Sequence, residues 1–191
     1  PETFCPKKAE DNWFVDFEKS GGVILDLMIH DFDYARWLAG EVESVYARNI
    51  LSANPQAQID HALVILTHKN GPISHIEGSW AFPPPMFRTR FEVSGSEGML
   101  DHDSQAATPI NIFMHNLDNG KTPDIPTPTS PISEDPWTTQ IKAFYQALID
   151  DVLLPVPAEE GLVALQIGLA AIESARTNKA VKLETLPELS S

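Results

Sequence analysis

The chain has 191 residues, 42% of them apolar and 21% charged, with a formal net charge of −14. That length can bury a sizeable core, and the composition is that of a globular protein rather than a disordered tail. Thirteen basic against 27 acidic residues oppose general attraction to nucleic acid or an anionic membrane, and no apolar run reaches the roughly 18 residues a membrane span needs. The single cysteine, Cys5, has no internal partner and favours a reducing compartment, so the cytoplasm is the expected location. There is no secretory segment, and Pro1 where an initiator methionine would stand suggests a piece of a longer polypeptide.

In chain order, the first predicted element is a helix over Ser20–Gly40, SGGVILDLMIHDFDYARWLAG. At about 100° per residue, Asp26, His30, Asp33 and Trp37 fall within about 60° of one another on one edge. The other directions are apolar, interrupted only by Asp31 and Arg36, as in a helix enclosed by its own protein. A buried carboxylate is costly unless paired or wet, so this edge must be internally paired or border a hydrated cavity. Asp26 and His30 stand one turn apart. A carboxylate beside an imidazole favours its charged form and orients the ring, which suits proton transfer near neutral pH. A surface ion pair or a hydrogen-bonded core histidine is the structural alternative.

Glu41–Leu100 is β-rich, with strands predicted over Val42–Leu51, Ile59–His68, Ile73–Trp80 and Phe87–Ser94. Asn70-Gly71 reads as a two-residue hairpin turn, pairing Leu66 with His75, Val64 with Glu77 and Ala62 with Ser79. This register puts Leu63, Ile65, Ile76 and Trp80 in the core and Ala62, Val64 and Leu66 on a half-polar face. Such a face suits a subunit interface or cover by another part of the chain, and concentration-dependent mass separates the two. His61, His68 and His75 recur every seven residues, but His61 and His68 point to opposite faces, and His30-Asp31-Phe32-Asp33 lacks a further convergent ligand. No metal site is expected. His102 and His115 read as surface residues.

Residues 122–136 carry five prolines, Pro123, Pro126, Pro128, Pro131 and Pro136, and exclude regular helix or central strand. Asp135 as N-cap with Pro136 at the first helical position starts a helix to about Asp150. A last helix starts near Pro157, with Leu162, Leu165, Leu169 and Ile172 at helical spacing. There is no internal repeat, and residues 1–191 read as a single domain.

Four stretches resemble one known family. Gly21–Asp33 with Arg36-Trp37-Leu38 resembles the signature that opens the C-terminal domain of Gfo/Idh/MocA oxidoreductases. Phe91–Leu100 is similar to that family's strand, Gly-turn, strand element. Phe144–Leu148 with Pro157–Leu162 resembles its last two helices, and Ser174-Ala175-Arg176 with Val181-Lys182-Leu183 its ending. The resemblance implies an α+β fold, an open, mostly antiparallel sheet with helices on one face, and homo-oligomers associating through the open face. It also implies NAD- or NADP-dependent chemistry on sugars, inositols or related compounds. Its Asp and His fall on Asp26 and His30, read as the catalytic pair, and it places a pocket-lining segment at Trp13 and Asp16, which are substrate-contact candidates with simple packing as the alternative. Asp33, on the Asp26–His30 edge, is a further substrate-contact candidate. Met28 departs from the family, which has a small residue beside the pocket at that position, and is expected to narrow the site. Trp80–Arg88, with Pro83-Pro84-Pro85, is expected to cap the sheet, a rim over the pocket being the alternative.

Family members carry a Rossmann domain that supplies the dinucleotide site and a catalytic lysine. This sequence has no Gly-x-Gly-x-x-Gly after a strand, and Gly95-Ser96-Glu97-Gly98 is spaced as a turn. The 191 residues are therefore expected to bind no NAD or NADP and to be inactive alone, with the Rossmann domain and a small-molecule substrate as partners. A non-catalytic ligand-binding or dimerisation homologue, or a metal-assisted lyase or hydrolase using Asp26, His30 and Asp33, remain the rival classes.

Overall fold

The computed structural model describes residues 13, 16–50, 61–80, 88–105, 110–114 and 136–184. In chain order the elements are α1 (Phe17–Ser20), α2 (Gly22–Asp26), α3 (Ile29–Ala39), β1 (Val42–Ile50), β2 (His61–His68), β3 (Ile73–Ser79), β4 (Arg90–Gly95), β5 (Gly98–Asp103), β6 (Ile110–Met114), α4 (Pro136–Asp150), α5 (Ala158–Thr177) and β7 (Val181–Lys182). They divide into two compact units, one drawn from Pro1–Pro83 and Asp150–Ser191 and the other from Pro84–Ile149. The architecture is α+β, with open sheets whose strand pairs are antiparallel among the described residues.

In the first unit the strand order is β3-β2-β1-β7, and α2, α3 and α5 pack against this sheet and one another. The fully buried core joins Val23, Ile24, Met28 and Phe32 to Val45, Ala47, Ala62, Val64 and Leu66 of the sheet and to Ile167 and Ala171 of α5.

The single helix expected over Ser20–Gly40 is in fact broken. The Val23 carbonyl accepts from both Leu27 N (3.1 Å) and Met28 N (3.0 Å). The second of these bonds reaches back five residues, so the turn holds one residue more than an α-helix allows before α3 begins. Wide turns of this kind bend helices. Leu27 and Met28 are both good helix formers, so their identities give no sign of the break.

The hairpin also differs from its expected register. His68 N donates to Pro72 O and Gly71 N to His68 O, each at 3.0 Å, which makes a three-residue loop of Lys69, Asn70 and Gly71. Gly71 takes φ +99°, the positive-φ position that such loops require after a tight turn. The extra residue moves the pairing to Leu66↔Ser74, Val64↔Ile76 and Ala62↔Gly78. Ala62, Val64 and Leu66 are consequently the core residues, alongside Ile76 and Trp80. Leu63 and Ile65, expected inside, stand on the open face at 40% and 36% exposure.

α5 turns its small residues inward. Ala164, Ile167, Gly168, Ala170, Ala171 and Ser174 are buried, whereas Leu165 and Leu169 of the expected leucine stripe are exposed. Small side chains let the helix approach the sheet closely, and at its end Ser174 takes a backbone role. Its Oγ accepts from Ala47 N (2.9 Å) and donates to Lys179 O (2.7 Å). These bonds satisfy the buried Ala47 amide and the Lys179 carbonyl where the two-residue strand β7 runs out.

His68 fastens the hairpin to the end of α3. Its buried ring donates from Nδ1 to the Gly40 carbonyl (2.6 Å), and Nε2 accepts from Ser74 Oγ (2.9 Å). The carbonyl can only accept, which fixes this tautomer. Arg36 provides the other clamp on α3. It pairs with Glu41 at 2.6 Å and with Glu160 in the first turn of α5. Burial opposes the Arg36 charge, but hydrogen bonds to Glu41 and Glu160 outweigh it and hold the guanidinium above its ordinary value.

The second unit contains the three-stranded sheet β4-β5-β6, whose β4–β5 turn is the Gly95–Gly98 segment. Across the pair, Arg88 forks onto Asp103 at 3.2 and 2.5 Å. The Arg88 bond, helped by Gln105 N–H, lowers the Asp103 carboxyl to about 2. His102 stacks on Phe91 with ring centroids 5.0 Å apart. The helix expected from Pro136 is present as α4. Cys5, the Trp80–Arg88 rim beyond Trp80, His115 and the proline-rich segment up to Asp135 lie outside the described residues, Arg88 itself excepted.

Candidate functional site

The site is built on the α2–α3 break. Asp26 ends α2 and is half-buried, whereas His30, in the first turn of α3, is exposed. Burial raises the Asp26 carboxyl above its ordinary value, and the positive charge of His30 pulls it partly back. Asp31 behaves alike, raised by the surrounding protein and lowered by His30. Its side chain still reaches solvent, so water screens much of that effect. Burial thus disfavours the charged forms of both carboxylates, Asp26 and Asp31. An imidazole is chemically able to exchange a proton with a bound hydroxyl, and carboxylates can accept hydrogen bonds from hydroxyls.

The other expected site residues are placed as follows. Asp33 follows His30 by three residues within α3 and shares its side of the helix. Further along that stripe stands Trp37, 76% exposed, with Tyr34 stacked on it at 5.9 Å. Asp16 is occupied locally as the N-cap of α1, its Oδ1 accepting from Glu18 N at 3.2 Å and its Oδ2 lying 3.6 Å from Lys19 Nζ. The Trp13 carbonyl accepts from Asp16 N at 3.1 Å, and its side chain is 39% exposed. Met28, expected beside the pocket, is instead fully buried in the core.

Asp31 lies off the Asp26–His30 edge by helical periodicity, and its adjacency to His30 is the one sequence signal for the influence of His30 on its carboxyl. A cavity of about 170 Å³ lies by Glu41, Lys69, Val163, Gln166 and Leu183, past the opposite end of α3 from His30. It has no connection with the His30 chemistry. Among the described residues, no group of three His, Cys, Asp or Glu is placed to hold a metal ion.

Comparison with known proteins agrees with this architecture. Residues 2–101 match the family model described as the GFO/IDH/MocA C-terminal domain. The chain belongs to the Gfo/Idh/MocA family. It is 31% identical over 170 residues to myo-inositol 2-dehydrogenase of Thermotoga maritima, a match covering 86% of this chain and 50% of that protein. Two solved structures share its fold. The WlbA dehydrogenase of Bordetella pertussis, in complex with NADH and UDP-GlcNAcA, superposes with TM-score 0.76 at 22% identity, over 91% of this chain and 51% of that one. A myo-inositol dehydrogenase of Corynebacterium glutamicum gives TM-score 0.68 at 24% identity, over 95% and 54%. The chain spans about half the length of the curated relatives it matches. The Gly-x-Gly-x-x-Gly run of a dinucleotide-binding turn does not occur in this sequence.

Proposed function

We propose that this chain is the substrate-binding domain of an NAD- or NADP-dependent oxidoreductase acting on a sugar, inositol or related polyol or carbonyl compound. The observation that carries the reading is the placement of His30, exposed in the first turn of α3, across the helix break from the half-buried Asp26 that ends α2. His30 exchanges the proton at the substrate oxygen, Asp26 orients the ring and accepts from a neighbouring hydroxyl, and Asp33 and Trp13 contact the substrate. Asp16 is the weakest of these contacts because helix capping already uses its oxygens. The dinucleotide and the lysine that completes the set belong to a Rossmann domain of the same polypeptide, which is this domain's partner. The kinship with myo-inositol 2-dehydrogenase supports the substrate class. The expected result is reduction of NAD⁺ or NADP⁺ by the full-length protein with at least one member of a panel of inositols and aldoses. No turnover in either direction across the panel would overturn the reading.

The reading includes a cytoplasmic protein that self-associates through its open sheet face. Among the described residues no helix is long and apolar enough to cross a membrane. Leu63, Ile65 and Ile73 stand exposed on that face, with Arg48 and Glu77 opposite Leu63 on the flanking strands. Mixed apolar and charged surface of this kind suits association. Ile65→Asp in the full-length protein is expected to lower the molar mass seen by light scattering without loss of fold. An unchanged mass would reject this face as the interface.

A further inference from the structure

We propose that Met28 and Gly78 form a positioning lock that sets where His30 stands relative to Asp26. The inference rests on the proton-transfer reading of His30. It begins from the backbone of Met28, which belongs to both sides of the break. The Met28 N–H reaches back to the Val23 carbonyl at 3.0 Å, and the Met28 carbonyl accepts from Asp31 N and Phe32 N, each at 3.0 Å. Asp26 lies two residues before it and His30 two residues after, so a shift of Met28 moves both groups.

The side chain of Met28 is fully buried and runs over β3 at Gly78. A Cβ built on Gly78 would come 2.7 Å from Met28 Sδ, closer than real carbon contacts. Gly78 is paired with Ala62 in the interior of a strand, where glycine is otherwise a poor choice and marks a close approach. Here the thing approaching is the thioether, so the large residue at 28 and the missing side chain at 78 fill one volume. A thioether is flexible, but one enclosed on every side cannot swing away without moving the turn to which it is attached. Gly78 is thus a positioning residue, acting on His30 through Met28.

The test uses the full-length protein and two readouts. The first is the NMR titration of the His30 ring, and the second is the pH profile of kcat. Gly78→Ala is expected to move the His30 ring shifts and titration midpoint and to lower kcat about 10-fold or more, with a smaller change in KM. Met28→Ala takes away three heavy atoms and Gly78→Ala returns one, so the double variant relieves the crowding and is expected to bring both readouts back toward wild type. If Gly78→Ala alone does not fold, Met28→Ala alone replaces it, with a shift expected that adding Gly78→Ala partly reverses. Wild-type ring shifts and pH profile in a folded single variant, or a shift that the double variant does not reduce, would overturn the lock. An active His30→Gln enzyme would instead remove the proton-transfer reading, and the ring titration would still report on the lock.

Discussion

His30→Gln in the full-length protein is expected to lower kcat by about 10²–10⁴-fold, the usual contribution of a positioned acid–base group. The fold should be unaffected. His30 is exposed and takes no part in the buried core, and glutamine is a better helix former than histidine. A glutamine can still hydrogen-bond a substrate hydroxyl but cannot exchange a proton near neutral pH, so KM should change less than kcat. Steady-state kinetics by nicotinamide absorbance, with circular dichroism as control, checks both halves of the expectation. A variant with wild-type kcat would show that the proton moves by another route.

The second large effect lies two residues further on and is purely structural. Phe32→Ala is expected to cost about 3–5 kcal/mol of stability, because a fully buried phenyl ring leaves a cavity that its neighbours only partly fill. Phe32 is 0% exposed and packs in the cluster that contains Met28, Val64 and Ile167. Along an α-helix two positions amount to about 200°, so His30 and Phe32 face opposite ways. Denaturant unfolding should show a lower midpoint with little change in slope. A loss below about 1 kcal/mol would mean that the α3 core contact is not formed as described.

These two neighbours show what the sequence made legible. The apolar run around Ile24, Met28 and Phe32 announced a helix pressed into a core, and the acidic edge singled out Asp26 and His30. The break at Met28 stayed hidden because it arises from a backbone bond rather than from a helix-breaking residue. The hairpin was visible in Asn70-Gly71, but its loop length was not, and one residue of difference exchanges every pairing partner. Strand β2 then offered no correction, because Ala62, Val64 and Leu66 alternate with Leu63 and Ile65. Both faces are greasy, so a period of two cannot choose between them. α5 misled in a related way. Its leucines drew attention, while the close packing was done by alanines, Gly168 and a serine whose hydroxyl serves the sheet.

That serine has a consequence for the order of assembly. The Ala47 amide of β1 waits for Ser174 Oγ, 127 positions later, and Arg36 of α3 waits for Glu160, 124 positions later. During synthesis the early sheet and its helices are made first, yet they stay open along the β1 margin until the ribosome has released the last helix. Contacts so distant along the chain slow folding because the intervening loop must close before they form. Until then the incomplete sheet offers bare backbone and apolar surface to chaperones or to other nascent chains.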